Sequence, residues 1–599
     1  MILWKIHGHF TAFRAKKQCQ ASNYRYRYIC ENLNQNHQMK RNSYLIGKAF
    51  KNYLTASVLT VAATQVANIV DASIVGNLIG PEGLAAVNLC QPLLQAFFAA
   101  SILYVASTTM LAGIAIGKGD KAKADKLFTF SLIVSLVLGA LFIIGGLAAF
   151  NPLSHLLCNS DSMRPLTDKF MFVTILSSIP QLLMYALNQF VTVDGSPKLV
   201  TRAVIVGNIF NILFDLIFIK YCGWGIAGAA WATFIMYIVC ILMVLPHFRK
   251  KDTLRLNIPK AGEIGYGQIM SFGLPLFFST VLLSVQMLGS NYVASTYLGD
   301  GGLIALAVCM QLFSFSMIIL SGTLRTIQPV GSILKGLGDD RGMIFLLQRA
   351  YTFLIICLAI YTVAIIAFPT QISALLGATN EASLPVILKA LPLFSLHIIM
   401  QALLYNLMPV YQFYNHKRLA FFLSIAQTLL PVIGFWALRG GWIGFFIGQS
   451  IVALVIIVST IVIRRNDKSL IPIFLIPRNS GKPIYDVTIE TTIEALGKTM
   501  NDLNAFLLSQ GWDEKKANRY LLCTEELVKN IVMHGHAKYV DIRATDSVIS
   551  LHDDGKPFNP LEYKSQGEGL GLKIVHGLDL SIKYDYRFNQ NMVTITVCH

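Results

Sequence analysis

Charge is what this chain has least of. Only 14% of its 599 residues are Asp, Glu, Lys or Arg, against about 25% in an ordinary soluble domain. With 54% hydrophobic residues, a wholly soluble protein is excluded. Acidic residues are scarcer than basic ones, 32 against 49, for a formal net charge of +17. That surplus does not read as a nucleic-acid surface, because the basic residues lie between apolar runs, where membrane topology requires them. Paired cysteines are missing too. The 10 cysteines are scattered, with no C-x-x-C and no metal-ligand spacing, which argues against a disulfide framework or a zinc site. No stretch of the first 50 residues is apolar enough for a signal peptide. No G-x-x-x-x-G-K-[ST] loop is present, so a P-loop transport motor is excluded.

What is present is a long series of apolar runs. At about 20 residues per span, they predict twelve membrane helices at roughly 53–79, 84–116, 127–150, 168–192, 201–220, 225–247, 266–298, 302–334, 345–369, 384–413, 419–438 and 442–463. Prolines within them (Pro92, Pro180, Pro275, Pro329, Pro392, Pro409 and Pro431) predict kinks beside a cavity, where freed carbonyls find partners. Lysine and arginine gather in alternate connections, for example Lys118, Lys121, Lys123 and Lys126, then Arg249, Lys250 and Lys251. The basic residues flanking the series follow the same side, so both termini are expected in the cytoplasm of a multi-pass plasma-membrane protein.

The series repeats at an offset near 219. Gly80 and Gly83 correspond to Gly299 and Gly302, Gln91 to Gln311, and Gly117-Lys118-Gly119-Asp120 to Gly336-Leu337-Gly338-Asp339. Six helices duplicated in one orientation predict two lobes with a substrate site between them. The expected division is a basic tail over 1–50, a first lobe over 51–247, a second over 248–463, a linker over 464–485, and a soluble α+β domain over 486–599. Within that last domain DVTI, YVDIRA, SVISLHD and MVTITVCH read as strands, with helices at about 490–510 and 513–534.

One apolar span carries a carboxylate. Asp215 follows Asn208 and Asn211 by seven and four residues, so the three share a helix face. A charge at membrane depth costs at least about 2.5 kcal/mol on insertion scales and normally faces a bundle interior or a wet cavity. Either a structural Asp bonded to its Asn neighbours or a cation or proton site accounts for it.

The motifs VDASIVGNLIGPEGLAAV (70–87), the N-x-x-x-D stretch with GIAGAAWAT (211–233), and Gly273-Leu274-Pro275 resemble the MATE family of multidrug and toxic-compound extrusion transporters. The resemblance implies two six-helix lobes and a secondary antiporter that exchanges Na⁺ or H⁺ for small organic compounds across the bilayer. It assigns cation coupling to Asp71, Asn211, Asp215 and Thr233. The acids that another group of the family places in its seventh and tenth helices have no counterpart here; Gln286, His397 and Asn406 are the polar residues there. The second lobe carries Arg325 instead, either snorkelling or paired with backbone carbonyls, or contacting an anionic part of the substrate.

The last 110 or so residues resemble the GHKL ATPases, closest to anti-sigma-factor serine kinases. The resemblance rests on three boxes: Glu526 to Gly535, Asp553 to Pro560, and Gly567 to Val575. It implies ATP and Mg²⁺ as cofactors. Asn530 would hold Mg²⁺, Glu526 would act as general base, and Asp553 with Gly555 would recognise adenine. Gly567, Gly569 and Gly571 would cradle phosphates with freed N–H groups. A kinase would need a protein hydroxyl acceptor (STAS-like). The readings are thus an exporter with a nucleotide-binding regulatory domain, a membrane-tethered signalling kinase, or an ATP sensor whose membrane part senses a ligand.

Overall fold

A computed structural model describes residues 41–158, 163–250, 253–260, 262–376, 383–478, 484–562, 570–578 and 580–596. The chain divides into two compact units, residues 46–481 and residues 482–599 together with 1–45.

The larger unit is helical. Its elements are α1 (Tyr44–Leu78), α2 (Pro81–Gly117), α3 (Lys121–Ala148), α4 (Phe150–Leu157), α5 (Arg164–Leu176), α6 (Ser178–Val193), α7 (Pro197–Asp215), α8 (Ile226–Val244), α9 (Tyr266–Gly336), α10 (Asp340–Ala367), α11 (Pro369–Leu375), α12 (Leu384–Tyr405), α13 (Met408–Phe413), α14 (Lys417–Ala437) and α15 (Ile443–Asn466). Among the described residues ten helical segments are long and apolar enough to cross a membrane, and α5 with α6, bent by 48°, supplies an eleventh. The 71-residue α9 is interrupted at Gly299. Dividing it there gives the twelve segments expected from the sequence. The break between α5 and α6 falls three residues before Pro180, and Pro409 is the second residue of α13. Pro92, Pro275, Pro329, Pro392 and Pro431 lie inside continuous helices. Leu141, Ile144, Ile360, Val363 and Leu454 are all exposed, as residues bathed by lipid tails must be. This is a multi-pass membrane protein.

The duplication is visible in the backbone. Gly80 and Gly299 both adopt positive φ, 101° and 61°, which a side chain disfavours. Asp120 (φ −90°, ψ 74°) and Asp339 (φ −90°, ψ 73°) cap the helices that follow them, accepting from Lys123 N and Gly342 N. The two copies also meet. A Cβ on Gly117 would strike Ile333 O and come within 2.8 Å of Gly336 Cα; one on Gly336 would strike Ile114 O and come within 2.7 Å of Gly117 Cα. Each residue touches the repeat-equivalent of the residue that touches it, as a two-fold relation requires.

The smaller unit is a five-stranded antiparallel sheet with helices on one face. Its elements are β1 (Tyr485–Glu490), α16 (Ile493–Ser509), α17 (Glu514–His534), β2 (Tyr539–Ala544), β3 (Val548–Asp553), α18 (Leu570–Gly577), β4 (Ser581–Arg587) and β5 (Gln590–Thr596), in sheet order β1-β2-β3-β5-β4. Val540, Ile542, Ile549, Leu551, Val593 and Ile595 pack on Leu503, Leu507, Leu527 and Val528. β4 was not expected from the sequence. Two expectations about boundaries change: α1 starts at Tyr44, inside the stretch read as tail, and residues 41–45 group with the sheet domain. Residues 1–40 lie outside the described residues.

Candidate functional site

The membrane carboxylates come together. Asp71 lies on α1 and Asp215 is the last residue of α7. Beyond Asp215 the chain passes into a π-helical segment, Leu216–Tyr221, the kind of irregularity that is frequent at functional sites. The Asp215 side chain is fully buried, and neither carboxyl oxygen has a hydrogen-bond partner among the described residues; Oδ1 of Asp71 is likewise buried and unpartnered. The two carboxyl groups are neighbours that interact electrostatically. Asn211 donates from Nδ2 to Thr233 Oγ1 at 3.4 Å, and that hydroxyl donates to Ala229 O at 3.2 Å. Asn208 instead donates to Ala63 O at 3.2 Å, joining α7 to α1. Asp71, Asn211 and Thr233 line a cavity of about 520 Å³, with Gln91, Asn188 and Arg325.

A second cavity of about 730 Å³ is lined by Gln286, His397, Gln401, Gln427 and Arg325, with no Asp or Glu on its wall. Asn406 lies outside that wall, its Nδ2 donating to Ala402 O at 3.0 Å. Both ring nitrogens of His397, Oε1 of Gln286 and Gln401, and both amide ends of Gln427 are buried without partners among the described residues. Arg325 makes no ion pair or hydrogen bond with a described residue. Gln401 and Gln427 escaped the sequence reading because a lone glutamine in an apolar run carries no pattern.

In the sheet domain, Asp553 ends β3 and is 2% exposed. Its Oδ1 accepts from Gly555 N at 2.8 Å and Asn591 Nδ2 at 2.9 Å. Burial pushes its carboxyl above the usual carboxylate range, and those two bonds offset part of the shift. A side chain on Gly555 would strike Gly535 O, so glycine is required where these loops meet. Glu526 and Asn530 lie one turn apart on α17, and Nδ2 of Asn530 is buried without a partner among the described residues. Glu525 is exposed, whereas Glu526 faces α18: a Cβ on Gly571 would run into its Oε2. Lys529 Nζ lies 3.9 Å from Glu526 Oε1. Gly567 and Gly569 lie outside the described residues. Asn591 was missed by the sequence reading, since it sits in a strand far from the three boxes.

Two family models match, MatE over residues 56–217 and Histidine kinase-like ATPase domain over residues 489–597. The chain carries a MatE domain and a histidine kinase-like ATPase domain. Among curated proteins it is similar to the multidrug export protein MepA of Staphylococcus haemolyticus, 25% identical over 289 residues, covering 48% of this chain and 64% of that protein. MepA of Staphylococcus aureus strain MRSA252 is 21% identical over 286 residues, 47% and 63% of the two chains. The chain thus spans less than two thirds of the length of these relatives. Two solved structures share the fold at 23% identity, each covering 70% of this chain and 97% of its own. One is a MOP superfamily transporter from Pyrococcus furiosus, described as having a binding pocket of reverse polarity that suggests a different function, at TM-score 0.62. The other is a multidrug resistance MATE family transporter in an outward-facing conformation, at TM-score 0.63. The Asp71–Asp215 pair belongs to the MatE domain, and the Asp553–Asn591 pair to the ATPase domain.

Proposed function

We propose that the protein is a secondary antiporter, driven by Na⁺ or H⁺ at Asp71, Asn211, Asp215 and Thr233, that exports small organic compounds and carries a nucleotide-binding regulatory domain. The observation that carries this reading is Asp215, a buried carboxyl with two orphaned oxygens. Two neighbouring carboxylates are too costly to leave ionised together in a dry site, so Asp215 and Asp71 take up a proton or a cation. Asp71 lines the cavity while Asp215 lies behind it, so ions reach the inner acid past the outer one. The hydroxyl and amide oxygens of Thr233 and Asn211 are hard donors suited to Na⁺. Similarity to the MepA exporters supports transport as the activity. The basic connections support a cytoplasmic location for both termini, where nucleotide is available.

Arg325 and the carboxylate-free second cavity support recognition of an anionic part of the substrate, in line with the reversed pocket polarity described for the Pyrococcus furiosus neighbour. In the ATPase domain Asn530, Asp553, Gly555 and Gly571 fit Mg²⁺-ATP: Asn530 would hold the metal through its amide oxygen Oδ1, while its buried, unpartnered Nδ2 is left to donate to a ligand oxygen, Asp553 would hold the adenine, and Gly571 lets α18 approach Glu526 closely. Magnesium would neutralise phosphate charge there. The position of Glu526 favours a second reading, phosphoryl transfer to a protein hydroxyl (STAS-like) with Glu526 as the base.

The test is gradient-driven export of anionic and cationic fluorescent dyes from proteoliposomes. Asp215→Asn should reduce gradient-driven flux at least about ten-fold, to the level of protein-free leak, while the variant remains folded. Undiminished flux from Asp215→Asn overturns the coupling site.

A further inference from the structure

We infer that the segment preceding the first membrane helix is a strap that relays nucleotide occupancy to α1, the helix that carries Asp71. The inference rests on the reading that the ATPase domain binds nucleotide.

The anchor is Arg41, which is 4% exposed. Its Nε lies 2.9 Å from Asp541 Oδ2 and its Nη1 3.7 Å from Asp486 Oδ1, and its backbone N–H donates to Asp486 O at 3.3 Å. Asn42 N donates to Thr488 Oγ1 at 2.9 Å, and that hydroxyl donates to Asp541 Oδ1 at 2.6 Å. Thr488 and Asp541 are cross-strand partners on β1 and β2. They point to the face opposite that of Val540 and Ile542 by the two-residue alternation of a strand, so the strap covers the side of the sheet that the helices leave open. A buried, doubly paired guanidinium fixes register, the best-attested use of such pairs.

The first turn of α1 then reaches the neighbours of the adenine pair. The Tyr44 hydroxyl donates to Asp554 Oδ2 at 3.3 Å, and its ring packs on Tyr539 with centroids 4.8 Å apart. Gln590 Nε2 donates to Leu45 O at 2.8 Å. Asp554 directly follows Asp553, and Gln590 directly precedes Asn591. Asn591 in turn holds the loop after β3 through Lys556 O at 3.0 Å and Phe558 N at 3.1 Å. Adenine bound at Asp553 must therefore settle against the same two backbone segments that hold Tyr44 and Leu45. From Tyr44 the helix runs uninterrupted to Leu78, and at 1.5 Å per residue Asp71 lies roughly 40 Å along it. A ligand biases such an element by its differential affinity for the two arrangements, and the coupling is reciprocal. Whatever nucleotide does to the start of α1, the strap does by the same factor to nucleotide affinity.

The experiment uses the full-length protein in nanodiscs with a non-hydrolysable ATP analogue and magnesium. Hydrogen exchange is followed over the first turns of α1 beyond Leu45, and analogue affinity is measured in parallel. Wild type should change its exchange there on saturation. Tyr44→Phe combined with Gln590→Leu, which keeps the ring packing and removes both bonds, should lose that response and shift analogue affinity about five-fold or more. Arg41→Ala should do the same if it folds. Unchanged exchange in saturated wild type, or a response and affinity preserved in the double variant, overturns the relay and leaves nucleotide binding standing. Failure of wild type to bind the analogue overturns the underlying reading as well, and the affinity measurement separates the two.

Discussion

Asp553→Asn separates recognition from stability within one side chain. Both bonds that Asp553 accepts, from Gly555 N and Asn591 Nδ2, end on Oδ1. An asparagine keeps them with its own Oδ1, so the loop after β3 should stay in place. What changes is the other end, where a carboxylate oxygen becomes an N–H donor. The adenine amino group would meet a donor instead of an acceptor. A hydrogen bond to a charged group contributes about 1.5–3 kcal/mol, so nucleotide affinity should fall about 10- to 150-fold. Stability should move the other way. Burial holds the carboxyl of Asp553 above its usual range. For an acid whose folded value is raised, the favourable contribution is fully present below the unfolded value, about 3.9, and is lost as pH rises through the folded value. As pH rises above the unfolded value, wild type therefore carries a growing cost for the buried carboxyl that the variant does not. Thermal unfolding of the ATPase domain within the full-length protein should occur at higher temperature in the variant at neutral pH, with the difference vanishing in acid. Titration with a fluorescent ATP analogue gives the affinity. An affinity within about three-fold of wild type would refute the adenine assignment, and a variant less stable at neutral pH would refute the account of the buried charge.

Gly571→Ala should bring a methyl group into the Glu526 carboxylate and weaken analogue binding about ten-fold; adding Glu526→Ala should relieve the clash, and a purely additive double-mutant cycle would show that the two residues do not touch. Gly117→Val and Gly336→Val should each destabilise the detergent-solubilised protein by about 1–3 kcal/mol, the usual cost of overpacking, and by similar amounts because the contact is reciprocal. A large cost at one glycine and none at the other, read by thermal unfolding, would disprove the two-fold relation.

The parts of this molecule legible in the sequence are those encoded by local pattern. Apolar runs gave the twelve segments, and the paired Gly-x-Gly-Asp loops gave the duplication, because a positive-φ glycine and an Asp cap leave the same signature wherever they occur. The Asn211–Asp215 spacing pointed to one helix face, and the structure adds what spacing cannot: Asn211 turns to Thr233, leaving Asp215 beside the Asp71 carboxyl. Edge strand β4 escaped because Lys583, Asp585 and the buried Arg587 alternate with Ile582, Tyr584 and Tyr586, so only a short, partly buried face marks it among charged residues. Gly299 splits the two halves of α9, yet nothing around Asp215 distinguishes the π-helical turn at 216–221 from ordinary helix.

Arg41 shows the limit most clearly. In sequence it is one of several basic residues in a polar stretch, and such stretches usually read as solvated tails. Its partners, Asp486 and Asp541, lie more than four hundred residues away in another composition zone. A pairing across that separation has no local signature, and loop closure makes long separation only slowly more costly, so distance along the chain does not argue against it either. Removing Arg41 would take the guanidinium away from the buried Asp541 and the part-buried Asp486, and breaking a buried pair in this way costs about 3–5 kcal/mol. Arg41→Ala should therefore unfold the ATPase domain at lower temperature than wild type. Adding Asp541→Asn should recover part of the loss, because it removes a buried charge that has lost its guanidinium. Equal melting of Arg41→Ala and wild type would mean that the guanidinium is solvated after all and that the strap is held by its backbone bonds alone.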